Sequence, residues 1–383
     1  MAKEIESGQD VPPRAVEMKR KRQQPVVQIL ASPAYDLFLS LHVVFGSPPK
    51  DYEFSPDWIE RARVACPADL IDTLTFFFGD GDGQWWAATL CGLLWRSPVP
   101  NDVVATLDWL AQMPVEEIWT VILGGDGLGD DWREVAQSII RAQINPKPSR
   151  KNDQAAKIQA FSKRFRSVER DAVVRFLTNP EAERTRLLDA VHAWHDLAFI
   201  EIQPHVNVAI TREAVRLEKR RIEVTIEELF TGVVRGVEYM MPAAIERLVL
   251  VPCLTIMPTI FHFTVEDTIT YCYPISDTQQ PAGDSDTMQR AEMVRLFDAL
   301  ADETRLRILR YLSQRQMYLT ELSEHLKLTK ATTRHHMIRL RAAGLVTLHM
   351  RDHLSYYSLR RETLDEPTKL LFRFLGPNTP TNS

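Results

Sequence analysis

The 383-residue chain holds only four cysteines, Cys66, Cys91, Cys253 and Cys272, and none forms a CxxC pair. That scarcity argues against a zinc ribbon or a disulfide framework and points to a reducing compartment. The N-terminus is charged and lacks the apolar core of a signal peptide. Long hydrophobic runs are missing too. The longest uncharged apolar stretch, Leu248 to Val265, contains Pro252, Pro258 and His262 and reads as strands, not as a membrane span. The expected location is the cytoplasm, with no membrane partner. GxSxG, HExxH, a phosphate-binding loop and a helix-opening GxGxxG are all absent. No catalytic residue stands out, and an enzyme is not expected.

Charge is present in ordinary amount but unevenly placed. The whole chain carries a net charge of -5, yet Met288 to Thr363 holds fourteen Lys and Arg against eight Asp and Glu. That segment is therefore at +6 and the remainder at -11. A basic module on an acidic body is the pattern expected when one domain alone meets phosphate.

Residues 1–25 end in Lys19-Arg20-Lys21-Arg22 and read as a flexible basic tail. From 26 to 277 the chain reads as a mostly helical body. Leu37, Leu39, Leu41 and Val44, and later Phe161, Phe165, Val173 and Phe176, recur at helical spacing. Pro33, Pro56, Pro67 and Pro98 sit where helices can begin. Asn145 to Gln154 reads as a loop. Between about 247 and 275 the texture turns β-branched and aromatic, broken by Glu266-Asp267, which suits a small antiparallel hairpin or meander. Residues 278–287 have linker composition, and 377–383 form a second tail.

Residues 288–376 carry the informative pattern. Met293, Leu296, Phe297 and Leu300 give an amphipathic first helix. Asp302 can cap a second, with Leu306, Ile308, Leu309 and Leu312 turned inward. Thr320 is placed to cap a short third helix, and Lys327-Leu328-Thr329 makes the turn. A fourth helix then runs from Lys330 to Ala343, with Met337 and Leu340 inward, and ends at Gly344. Leu345 to Leu359 alternates as a hairpin around Arg351-Asp352-His353. Helix, turn, helix and hairpin fit a recognition helix in the major groove and a wing on the flanking backbone. The fold expected is thus mainly α, a helical N-terminal domain followed by an α+β winged helix-turn-helix.

The predicted partner is double-stranded DNA. Its contacts are predicted to come from Thr329, Lys330, Thr332, Thr333, Arg334, His335 and Arg339 on the turn and fourth helix. Arg351, His353 and Tyr356 on the wing complete the set. These are donors for phosphate oxygens and guanine acceptors. Arg341 also counts toward this basic face. The alternative is a winged helix used as a protein–protein docking surface without DNA readout, and the density of basic residues argues against it.

The run from Leu296 to Leu312, then Leu319-Thr-Glu-Leu, Thr332-Thr-Arg-His-His-Met-Ile-Arg-Leu and Ala342-Ala-Gly-Leu-Val, resembles the ArsR-type winged-helix repressors. Asp302 with Arg305, His336 and the Ala343-Gly344-Leu345-Val346 end carry that resemblance over about 80 residues. It implies a homodimer on a palindromic operator, with the first helix and Leu364, Leu370, Leu371 and Phe374 at the dimer interface. Metal-sensing relatives place cysteines where this chain has Met317 to Leu322, or His on the last helix, where Leu364 to Leu375 has none. No metal and no cofactor is therefore expected. Thr333 stands where the family has a core-facing Val, and Arg334 where it has Ser, so base preference does not transfer.

The body is less legible. Its length and Val-Pro strand segment are similar to a group of large regulators with the same C-terminal module, a likeness that brings no ligand. All eight Trp lie between Trp58 and Trp194. Trp85, Trp86, Trp95, Trp109 and Trp119 could line an effector pocket, although such residues more often fill a core. His192, His195 and His205 read as a polar helix face. Gly79 to Gly83 and Gly124 to Asp131 resemble calcium loops in composition only and read as turns. Dimerisation, small-molecule effector sensing or both are the roles expected of the body.

Overall fold

The computed structural model describes residues 24–46, 52, 54–79, 86–124, 131–145, 151–234, 236–242, 244–275, 285–351 and 354–375. The tail before residue 24, the linker to residue 284, the tips of both glycine-rich turns, Trp85, Asp352, His353 and the tail from 376 lie outside them. The body's helices are α1 (Pro33–Phe45), α2 (Pro56–Ala65), α3 (Ala68–Phe78), α4 (Val103–Gln112), α5 (Val115–Ile122), α6 (Trp132–Ile144), α7 (Lys151–Ser162), α8 (Arg170–Thr178), α9 (Pro180–Trp194), α10 (Ile200–Arg221) and α11 (Ile226–Val233). The π-helical turn His195–Phe199 joins α9 to α10. Among the described residues no helix is long and apolar enough to cross a membrane.

Helix α1 is the hub. Pro33 occupies its first turn, where the missing N–H costs nothing, and all thirteen residues are buried. A helix buried all round must be covered on every side, and its polar residues Asp36, Ser40 and His42 need partners within the core. Here α2, α3, α4, α10 and the sheet surround it. Trp58 and Trp194 pack edge to face beneath it. Trp119 stacks on Phe176 with ring centroids 4.4 Å apart and donates its indole N–H to the Pro180 carbonyl. Trp119 is therefore a core residue.

The strands are β1 (Val26–Ile29), β2 (Arg247–Cys253), β3 (Phe261–Val265) and β4 (Thr268–Pro274), in the order β1-β2-β4-β3. The hairpin expected around Glu266-Asp267 is β3–β4, with Glu266 in the left-handed region at φ 55°. It belongs to a larger, mixed sheet, because β2 pairs in parallel with both β4 and β1. Parallel neighbours need a long crossover, and the whole helical body serves as the one between β1 and β2. Asp36 fastens α1 to the turn after β2: its Oδ1 accepts from the Leu254 and Thr255 amides and from the Thr255 hydroxyl. Burial raises this carboxyl to about 6 despite those three donors. The segment expected as a loop to Gln154 is helical from Lys151, and a Lys157–Asp153 ion pair one turn apart supports the new helix.

The C-terminal elements are α12 (Ser285–Leu300), α13 (Glu303–Leu312), β5 (Met317–Tyr318), α14 (Leu319–Leu326), α15 (Lys330–Ala342), β6 (Val346–Arg351), β7 (Leu354–Leu359) and α16 (Glu366–Leu375). Their three strands run in the order β5-β7-β6. A further contact ties them to the body. Val237 bridges Leu348 in parallel, Leu348 donates its amide to the Gly236 carbonyl at 2.7 Å, and Glu238 donates its own to the Leu348 carbonyl at 3.0 Å. The body thus adds a single β-bridge to the outer edge of β6.

Candidate nucleic-acid interface

The helix-turn-helix is set by local hydrogen bonds. Asp302 caps α13 by accepting from the Arg305 amide at 2.8 Å. The Arg305 side chain turns inward and donates to the Ala299 and Asp298 carbonyls, filling the last-turn acceptors of α12. Leu306, expected inside, is instead 49% exposed because Arg305 takes the inward position. Thr320 does not cap α14: the helix starts at Leu319, and the Glu321 carboxylate accepts from the Tyr318 amide at 2.8 Å. That bond, with Arg315 adding to it, holds the Glu321 carboxyl below its usual range.

Lys327 then adopts the left-handed conformation at φ 58°, ending α14 and turning the chain. Thr329 caps α15, accepting from the Thr332 amide at 3.1 Å. Gly344 closes the far end at φ 71°. The turn at 327–329 and the left-handed Gly344 agree with the sequence reading; the Thr329 cap is a further feature of the turn.

Lys330, Thr332 and Arg334 project into solvent from the first turns of α15, and His335 and Arg339 are half-exposed beside them. Arg339 leans back toward α12, with Nη1 3.9 Å from Asp298 Oδ2. Thr333 differs from the prediction. It is fully buried, and its hydroxyl donates to the Thr329 carbonyl at 3.0 Å, so it braces the cap and presents nothing to a groove. Arg341 also leaves the basic face. It is buried against Gly236 and close to Tyr357, and burial pulls its guanidinium below the usual range. His336 is half-buried with Nδ1 3.6 Å from Asp302 Oδ1. Burial lowers its pKa, against the pull of Asp302, so this residue links α13 to α15 and is no solvent-facing cation.

In the wing, Arg351 pairs with Leu354 through the backbone at the end of β6, and His353 lies outside the described residues. Tyr356 is half-buried at the base of the wing. Its ring lies 3.9 Å from that of Tyr318, centroid to centroid, and the two hydroxyls touch. On β6 His349 is nearly buried, with Nδ1 2.6 Å from Glu238 Oε2 and Nε2 2.6 Å from Ser358 Oγ. The prediction missed this contact, and Arg305 and Arg341 as packing residues. The Gly236–Glu238 segment has no strand pattern to find, and a buried Arg looks like any other basic residue in a sequence.

A short capped turn, a second helix with cationic and hydroxyl donors outward, and a hairpin beside it define a winged helix-turn-helix of the DNA-binding kind. Residues 302–347 match the bacterial regulatory proteins of the arsR family. The chain is 29% identical over 84 residues to the transcriptional repressor SdpR of Bacillus subtilis, covering 22% of this chain and 93% of that protein. It is 37% identical over 81 residues to the uncharacterised HTH-type transcriptional regulator YceK of Bacillus subtilis, covering 21% of this chain and 78% of that protein. Among solved structures, that of NolR from Sinorhizobium fredii is 29% identical, covering 24% of this chain and 90% of that one, with a TM-score of 0.19 that says nothing about the whole fold. This chain belongs to the arsR family of DNA-binding transcriptional regulators through its C-terminal module. The two curated relatives match about a fifth of it, and the body lies outside both matches.

Proposed function

We propose that the protein is a dimeric, ligand-responsive repressor working in the cytoplasm, in which the body governs how the winged helices meet their operator. The observation that carries this reading is the solvent-facing set Lys330, Thr332 and Arg334 on a helix whose start is fixed by the Thr329 cap. These groups suit phosphate oxygens and guanine edges. Repression is supported by the relative SdpR, a transcriptional repressor. Dimerisation is supported by a continuous apolar surface: α12 packs on α16, and Val294, Phe297, Leu364, Leu371 and Phe374 remain exposed across the pair.

Ligand response is supported by two features of the body. A half-open cleft of about 810 Å3 between α6, α7 and α8, lined by Gln137, Ser138, Gln154, Ile158 and Gln159, is large enough for a small molecule. The Gly236–Glu238 bridge to β6 offers a path from body to wing. A ligand that shifts the body would change the spacing of two recognition helices, which must fit major grooves about 34–36 Å apart.

The deciding experiment is a gel shift of the full chain on its own upstream DNA. Salt-sensitive, sequence-dependent retention is expected, and the combined Lys330→Ala, Arg334→Ala and Arg339→Ala variant should lose it. Retention indifferent to those changes would remove the reading. Effector coupling is checked by titrating candidate metabolites against Trp fluorescence and operator affinity together; responses that do not move in parallel would count against it.

A further inference from the structure

Helix α10 is apolar on two opposite sides. Ile202, Val206, Ile210 and Leu217 face the body's core. On the opposite side Leu197, Pro204, Val208, Val215 and Ile222, from the π turn to just past the helix end, face solvent at spacings of seven, four, seven and seven residues. Val208 is 58% exposed and Ile222 86%. At 100° per residue the four positions from Pro204 to Ile222 fall within about 40° of one another, at the pole farthest from the core, and Leu197 precedes them in the π turn. A surface helix normally shows charge there, and a helix apolar on both sides requires a second cover.

We propose that a second copy of this chain provides the cover, with the two α10 helices packed antiparallel about a two-fold axis near Val208 and Thr211. The stripe is self-complementary about that point. Turned end for end, Leu197 meets Ile222 of the second copy, and Pro204 meets its Val215. The flanking charges agree. Asp196 and Glu201 lie toward the start, while Arg212, Lys219 and Arg221 lie toward the end, so antiparallel packing brings Glu201 beside Lys219 of the second copy. Parallel packing would set like charges together. A C2 contact uses one patch twice, which this symmetry of apolar and charged positions satisfies. The Glu201–Arg61 and Arg221–Glu218 pairs are solvent-exposed and do not hold these side chains away from new partners. This surface belongs to the body and is separate from the α12–α16 face.

Engineered cysteines test it in the full chain, because the four native thiols are all buried. Val208→Cys should cross-link to itself on mild oxidation. Leu197→Cys and Ile222→Cys should each fail alone, since identical ends lie roughly 37 Å apart in the antiparallel arrangement, yet cross-link when mixed. Adding Val215→Glu to the Val208→Cys variant should abolish that cross-link, with an unchanged far-ultraviolet circular dichroism spectrum to show that the chain still folds. No Val208→Cys cross-link, its survival in the presence of Val215→Glu, or self-cross-linking of Leu197→Cys and Ile222→Cys would overturn the proposal. Cross-linking that appears only after residues 1–23 are deleted would overturn it too, by assigning the stripe to the chain's own N-terminus. Loss of DNA retention bears on none of these readings.

Discussion

His349 and Glu238 stand 2.6 Å apart across the junction of wing and body, imidazole Nδ1 to carboxylate Oε2. An ionised carboxylate only accepts, so Nδ1 carries the proton, and Nε2 is left to meet the Ser358 hydroxyl on β7. One side chain therefore links the body to both strands of the wing. The backbone pairing of Gly236 and Glu238 with Leu348 runs alongside it.

Removing that link should loosen the junction without unfolding either part. Glu238→Gln or His349→Ala is expected to cost about 1–2 kcal/mol. Chemical denaturation would measure this, and limited proteolysis near residue 236 should speed up. Gly236→Ala should cost at least as much. At φ 72° an added Cβ would stand 2.6 Å from Arg341 Cγ and 3.0 Å from the Val346 carbonyl. Gly344→Ala, at a similar φ, meets only Arg360 at 3.7 Å and should show the backbone strain alone, about 1 kcal/mol.

Two residues of apparent DNA-binding type should prove silent. Thr333→Val loses a hydroxyl bonded within its own turn, and Arg341→Met replaces a buried guanidinium with an apolar chain of similar length. Operator affinity measured by fluorescence anisotropy should stay within about twofold for both. The melting temperature of Arg341→Met should hold or rise, as is common when a buried charge gives way to hydrocarbon.

Within α15 the cations should differ in weight. Lys330→Ala and Arg334→Ala are each expected to lower the slope of log affinity against log salt by about 1, the mark of one lost phosphate contact. Arg339→Ala should have the smaller effect, since Asp298 already draws that side chain toward α12. Equal slopes for all three variants would show that this contact does not matter.

Asp36 should give the body a pH signature. Its folded value of about 6 exceeds the usual 3.8, so the folded state holds the proton more tightly than the unfolded chain does. The associated stability is complete below pH 3.8 and is lost as pH rises through about 6, a change of roughly 3 kcal/mol. Asp36→Asn keeps an acceptor for Leu254 and Thr255 and should flatten this part of the stability profile. An Asn variant with the same pH dependence as the parent would assign that dependence to other groups.

The winged helix was legible because its signals are local. Asp302, Thr329 and Gly344 act on backbone groups within about a turn of themselves, and such bonds form wherever that stretch of chain folds. The interior was harder to read. Thr333 and Arg341 have the composition of a DNA contact, and only packing against the turn and against Gly236 shows that they point inward. Val26–Ile29 is too short to announce a strand and gains its meaning from Arg247–Leu250, more than two hundred residues later. By itself the sequence determined the order of helices in the C-terminal module, the Asp302 cap and the Gly344 end, and the basic character of that module. Tertiary structure alone decided which cations reach solvent, how the mixed sheet is paired, and that the body bridges onto the wing at Val237 and Glu238. These depend on what distant parts of the chain bring to each side chain, which neither spacing nor composition encodes.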